Sequence, residues 1–178
     1  MDLTISRVQS HHPLPAIRDT INQAYRRAPW LTPDIRRISL GEIAAIIENP
    51  RMDLYFCSAP GGVHGAVLLD ASAGFVEMAS LAVAPHCQKI GIGPRLMAHV
   101  ELETIRVWGR SEIFIQVVPF MQERLIDFYT RHGYRMTDDP PRPFHLPQFV
   151  KPGFRDQLQI YRMRKMLDLR PGPMPGLV

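Results

Sequence analysis

The sequence predicts one mixed α/β domain. Three observations carry that reading. Hydrophobic periodicity switches repeatedly between the strand repeat of two and the helical repeat of about 3.6 along the chain. The 178 residues are 46% hydrophobic, which supports one sizeable core and leaves little room for a second. A buried-looking strand also runs into the turn "QKIGIG" (88–93) and then into a long amphipathic stretch.

Each element has a local cause. "LTISRV" (3–8) alternates and reads as a strand, and "LPAIRDTINQAYRR" (14–27) places Ile17, Ile21 and Tyr25 at helical spacing. Ser39 and Glu42 form an S-x-x-E capping box that opens a second helix, "LGEIAAIIE" (40–48), and Asn49-Pro50 ends it. "DLYFCSA" (53–59), the turn "PGG" and "VHGAVLLD" (63–70) predict a hairpin. "GFVEMASLAV" (74–83) predicts a third, mostly buried strand that Pro85 stops. The stretch 94–110 predicts a long helix with Pro94 in its first turn, where a missing N–H costs least. "EIFIQVV" (112–118) reads as a buried strand, and "QERLIDFYTRH" (122–132) as a helix closed by Gly133. A proline-rich stretch (138–153) precedes a last strand, "LQIYRMRK" (158–165). Residues 1–167 are expected to form the domain and 168–178 a flexible tail.

Composition narrows the function. The 21 Lys and Arg against 17 Asp and Glu give a net charge of +4, spread along the chain and without a nucleic-acid-reading motif. A modest positive surplus also suits a polyphosphate pocket. No apolar run approaches the roughly 18 residues of a membrane span, and the N-terminus lacks a secretory pattern. Cys57 and Cys87 make a poor disulfide framework. The expectation is a soluble cytoplasmic protein that binds neither nucleic acid nor membrane. No metal is expected either: the cysteines lack ligand spacing, and His11-His12 lack a third donor.

A strand, a glycine turn and a helix N-terminus together favour an anion, because free N–H groups and the helix dipole point the same way. Gly91 and Gly93 allow close backbone approach, and Lys89 adds charge. The P-loop and dinucleotide patterns both fail here. Taken alone, the turn leaves open whether it holds phosphate or only caps a helix.

Context decides between them. "LAVAPHCQKIGIGPRLMAHVE" (81–101) resembles the acyl-coenzyme A signature of the GNAT N-acetyltransferase superfamily, with Gln88, Gly91 and Gly93 at the [RQ]-x-x-G-x-[GA] positions. "QERLIDFYTRHGYR" (122–135) is similar to a second family element, with Gln122 in place of asparagine and Leu125 in place of alanine. The resemblance spans residues 3–166. It implies an α/β (α+β) fold: a mixed, mostly antiparallel sheet, flanked by helices and splayed between its fourth and fifth strands, with acetyl-coenzyme A as co-substrate in the opening. Backbone groups of Leu81, Ala82 and Val83 would pair with the pantetheine arm. The turn Gln88, Lys89, Ile90, Gly91, Ile92 and Gly93 would hold the pyrophosphate, with Gln122 nearby. Pro94 departs from many members by removing one N–H from that cradle.

The same resemblance implies transfer of an acetyl group to an amine. An alkylamine with a pKa near 10.4 is only about one part in 10³ neutral at pH 7, so a base or a proton exit matters. Glu77, four residues before Leu81, matches the general base of some members; the alternative is a strand acid facing solvent. Tyr129 aligns with the donor to the departing thiolate; the alternative is a packing aromatic. Trp30, Tyr55 and Phe149 are candidates for the acceptor wall. The expected partner is a small-molecule or peptide amine, with a homodimer left open. The other functional reading is a non-catalytic acyl-coenzyme A-binding module.

Overall fold

The computed structural model describes residues 3–26, 28–32, 36–120, 124–144 and 147–168. The chain runs β1 (Thr4–Arg7), α1 (Leu14–Tyr25), α2 (Leu40–Glu48), β2 (Met52–Ala59), β3 (Gly62–Asp70), β4 (Glu77–Val83), α3 (Ile92–Arg106), β5 (Glu112–Val117), α4 (Arg124–Arg131), β6 (Arg135–Met136), β7 (Arg142–Pro143) and β8 (Gln159–Met166). The strands join in the order β1-β2-β3-β4-β5-β8-β6, with β7 on β8. Every pairing is antiparallel except β4–β5. Among the described residues no helix is long and apolar enough to cross a membrane.

Each face of the sheet has its own core. On one face, Leu96, Met97 and Val100 of α3 pack on Val67, Leu69, Met78, Ile113, Ile115 and Met163. On the other, Ile17, Ile21, Ile43 and Ile46 of α1 and α2 cover Leu54, Phe56, Ala66, Leu68 and Ala82. Burial of each such side chain contributes about 1.5–3 kcal/mol. Because β3 is covered on both sides, it reads as a nearly continuous apolar run rather than an alternating one.

Local chemistry explains the helix ends. Ser39 Oγ accepts from the Glu42 amide at 3.1 Å, and the Ser39 amide donates back to Glu42 Oε2 at 2.7 Å, completing the expected capping box. The Asn22 side chain bonds both the carbonyl and the amide of Ile38, at 2.9 and 3.0 Å, tying α1 to the segment that enters α2.

Several boundaries differ from the sequence reading, and two short strands escape it. α3 begins at Ile92, not at Pro94, because Gly91 caps it in the left-handed region (φ 87°) and the Arg95 amide bonds Gly91 O at 3.2 Å. β4 begins at Glu77 rather than Gly74, whose φ of 83° belongs to a turn. The two-residue strands β6 and β7 are too short to leave a periodic signal, so the sequence reads them as loop. The tail residues 169–178 lie outside the described residues.

Candidate active site

The site starts from an irregularity in β4. Ala66 pairs with Ala82 and Leu68 with Ala79, so β4 spends three steps where β3 spends two. Ser80, inside that bulge, has a left-handed φ of 50°. A bulge bends its strand and switches which face the following side chains occupy. Met78 faces α3 and Ala79 faces α1; beyond the bulge, Leu81 and Val83 pack on the α3 side, while Ala82 packs on the α1 side.

The bend opens the sheet. β4 meets β5 only at Glu77↔Phe114 and Met78↔Ile115, although β4 continues to Val83 and β5 to Val117. Leu81, Ala82 and Val83 therefore present an unpaired strand edge to a wedge between the two strands, the kind of edge that accepts an added extended chain.

At the mouth of the wedge, a 3-10 turn at Pro85–Cys87 leads into the glycine segment. Lys89 (φ 66°) and Gly91 (φ 87°) are both left-handed, and alternation of this kind turns neighbouring N–H groups toward one side. Gln88 Nε2 donates to Val83 O at 3.4 Å, holding the turn to the end of β4. Ile92 is 1% exposed and anchors the turn in the core, whereas Ile90 is 58% exposed. A Cβ on Gly91 would meet nothing within 4 Å, and one on Gly93 would lie 3.7 Å from Val83 Cγ2 and 3.8 Å from Phe128 Cζ. Gly93 thus faces the space between the end of β4 and α4. The sequence reading missed Gly65, where a Cβ would lie 2.9 Å from both Ala82 O and Leu96 Cδ1. Only glycine lets the start of α3 seat this closely on β3.

Tyr129 lies on α4 and packs on the α3-side core, which Leu81 and Val83 also flank. Its ring stands edge-on to those of Phe128 and Tyr134, at 5.2 and 5.8 Å. Burial, with a smaller contribution from Tyr25, pushes its hydroxyl well above the ordinary tyrosine range. It therefore stays protonated and keeps a proton to donate near neutral pH. Gln122 lies outside the described residues.

Glu77 occupies the opposite face. Its carboxylate accepts from Gln116 Nε2 at 2.8 Å, and Gln116 alternates with the core residues Ile115 and Val117. Burial raises the Glu77 pKa above the usual carboxylate value; the Gln116 bond and the Arg162 charge oppose that rise. Arg162 is held with its guanidinium 4.1 Å from both the Phe75 and Phe114 rings and 3.4 Å from Asp139. Neither Gln116 nor Arg162 had a signal in the sequence, because their relation to Glu77 exists only through the β4–β5–β8 pairing. Glu77 and Tyr129 thus lie on opposite faces of the sheet.

A third cluster joins the segment before α2 to the segment before β8. Trp30, Leu31, Val150 and Leu158 form its core, with Phe120, Phe144, Phe149 and Phe154 against them. Leu31 and Val150 form a β-bridge, Thr32 N donates to Phe149 O at 2.9 Å, and Lys151 Nζ donates to Pro29 O at 2.6 Å. Trp30 and Phe149 therefore share one packed cluster. Tyr55 does not: it sits in the α3-side core with its hydroxyl 3.4 Å from Glu103. A cavity of about 290 Å³ lined by Arg51, Phe75, Trp108 and Arg110 contains none of the candidate catalytic or coenzyme residues. His12 is engaged elsewhere, its Nδ1 accepting from the Gln9 amide at 2.9 Å.

Residues 51–136, which hold the wedge, the turn and most of α4, match the family model of an acetyltransferase (GNAT) domain. No curated protein matches the chain. Among solved structures, the Escherichia coli ribosomal-protein-S18-alanine N-acetyltransferase superposes with a TM-score of 0.71 at 17% identity, covering 97% of this chain and 99% of that one. A GNAT acetyltransferase from Elizabethkingia anophelis, solved with acetyl-CoA bound, gives 0.67 at 19%, covering 93% and 98%. The Vibrio cholerae spermidine N-acetyltransferase, solved with CoA and spermine, gives 0.68 at 16%, covering 92% and 95%. Residues 51–136 are thus similar to an acetyltransferase (GNAT) domain, and the chain, with its parallel β4–β5 pair opening beyond Met78, has the GNAT fold.

Proposed function

We propose that this protein transfers an acetyl group from acetyl-coenzyme A directly to a primary amine of a small molecule or peptide. The observation that carries the reading is the wedge: an unpaired β4 edge ends at a left-handed turn that opens α3. Glu77 and Tyr129, on opposite faces of the sheet, would serve it from its two sides. An extended pantetheine arm fits the edge at Leu81–Val83. The pyrophosphate fits the turn from Gln88 to Gly93, where the free N–H groups of Ile92 and Gly93 carry the helix dipole. Pro94 contributes no N–H, so the backbone donors of the first turn are fewer than usual.

Bound acetyl-coenzyme A supplies the thioester carbon that the amine attacks. Glu77 takes the proton that the amine nitrogen gives up, directly or through a water. Its raised pKa suits this role, since a base nearer neutrality is a better match to the task. A backbone N–H near Leu81–Val83 stabilises charge on the carbonyl oxygen. As the C–S bond breaks, the Tyr129 hydroxyl donates to the sulfur that leaves with the electron pair. The aromatic cluster around Trp30 and Phe149 forms a wall for the acceptor. The protein works as a cytoplasmic enzyme with neither cysteine in a disulfide, independently of nucleic acid or membrane.

The second reading is a non-catalytic acyl-coenzyme A-binding module; the presence of both Glu77 and Tyr129 favours the enzyme. Two measurements separate them. At 100 times Kd the coenzyme should stabilise the fold by about 2.7 kcal/mol, a readable shift in melting temperature. A panel of amines should then release free thiol. Stabilisation without thiol release from any amine would support the binding module, and no stabilisation at millimolar coenzyme would end both readings.

A further inference from the structure

Three donors that the sequence scatters come together beside the coenzyme turn. Cys87 Sγ lies 3.1 Å from His64 Nδ1, and the donor atoms of His64, His86 and Cys87 all lie within 4.8 Å of one another. His64 reaches this place through a second bulge. Cys57 pairs with Gly65 and Ser58 with Val63, which leaves His64 as the extra residue of β3. His64 is only 6% exposed and its Nε2 is buried without a hydrogen-bond partner, so among the described residues the one hydrogen-bonding contact of its imidazole is the Cys87 sulfur.

We propose that His64, His86 and Cys87 form a binding site for a thiophilic divalent cation of the zinc class. One thiolate and two imidazoles select zinc or cobalt over magnesium or calcium, which need oxygen ligands. Three protein ligands leave a fourth tetrahedral position for water. Bond lengths of about 2.3 Å to sulfur and about 2.0 Å to nitrogen place tetrahedral ligands about 3.5 Å apart. The Sγ–Nδ1 pair is already near that spacing, and His86 is exposed and free to rotate inward. Binding expels the Cys87 thiol proton to solvent, so affinity falls as pH drops. His86 and Cys87 belong to the 3-10 turn that precedes Gln88, so an occupied site ties the coenzyme turn to β3.

Cobalt(II) added to chelator-treated, full-length protein is the probe. The expected result is one-to-one binding with a thiolate-to-cobalt charge-transfer band and strong tetrahedral visible bands, both lost when zinc is added. Cys87→Ser should abolish the charge-transfer band. His86→Ala, at an exposed position that the fold does not need, should weaken cobalt binding about tenfold or more. His12→Ala should leave the titration unchanged. Absence of a thiolate band in folded protein, or a band indifferent to Cys87→Ser or His86→Ala, would overturn the site.

Discussion

The proposed coenzyme side and the proposed acceptor side are built in contrasting ways. The coenzyme side comes from one continuous stretch: the end of β4, the left-handed turn and the first turn of α3. The acceptor side is assembled from segments more than a hundred residues apart, joined by the Leu31↔Val150 bridge and the Lys151–Pro29 bond. The first needs only local backbone geometry. The second depends on two loops meeting across the sheet. A shared donor with a variable acceptor suits that division, since loops change without disturbing the scaffold.

The largest expected effect is at the catalytic meeting point of the two sides. Glu77→Gln should lower the rate by roughly 10²–10⁴ near neutral pH, with partial recovery as pH rises and the amine loses its own proton. In the native enzyme, activity should fall as acid protonates Glu77, with a midpoint above the ordinary carboxylate range because burial raises its pKa. A pH–rate profile with no such acid limb, or a loss in the variant that is flat with pH, would remove Glu77 as base.

Next comes Tyr129→Phe, which deletes one oxygen. A hydrogen bond to developing charge is worth about 1.5–3 kcal/mol, or roughly 10–150-fold in turnover. Coenzyme affinity should hardly change, because the charge exists only late in the reaction. Normal turnover would return Tyr129 to the role of a packing aromatic, and weak coenzyme binding would make it part of the pocket wall.

Gly93→Val tests the coenzyme side alone. Its γ-methyls would enter the space between Val83 and Phe128, and overpacking of 1–3 kcal/mol corresponds to a loss of coenzyme affinity of about tenfold. The amine KM should stay put. Calorimetry that found unchanged coenzyme affinity would mean the glycine serves the turn alone.

The smallest effect is on the acceptor side. Lys151→Met removes the bond to Pro29 O, worth about 1 kcal/mol, and should raise the amine KM about fivefold with coenzyme affinity intact. If Gly93→Val moved the amine KM, or Lys151→Met moved coenzyme affinity, the two sides would not be separable.

Most of the fold was legible because its signals are local. The capping box at Ser39 and Glu42, the hairpin around "PGG" and the amphipathic run of α3 all appear where their residues call for them. The glycine turn was legible for the same reason. Tyr55 was misplaced because an aromatic residue in a strand looks the same whichever face it occupies; strand position, not residue type, sent it to the α3 side. Gly65 was overlooked because its need for glycine comes from Ala82 O and Leu96, neither of which is near it in sequence.

What the sequence determined by itself is whatever depends on a few neighbouring residues. The left-handed preference of Gly91, the helix start behind it and the alternation of β1 follow from φ/ψ preferences and short-range patterning. What the tertiary structure alone decided is which distant residues share a face. Two extra residues, one in β3 and one in β4, shift the register after them. Those shifts open β4 from β5, turn Leu81 and Val83 toward α3, and bring His64 to Cys87. The parallel β4–β5 pairing then sets Gln116 against Glu77, 39 residues away. Register is a property of two strands packed together, since moving one by a single residue exchanges its faces, and no single stretch of sequence contains it.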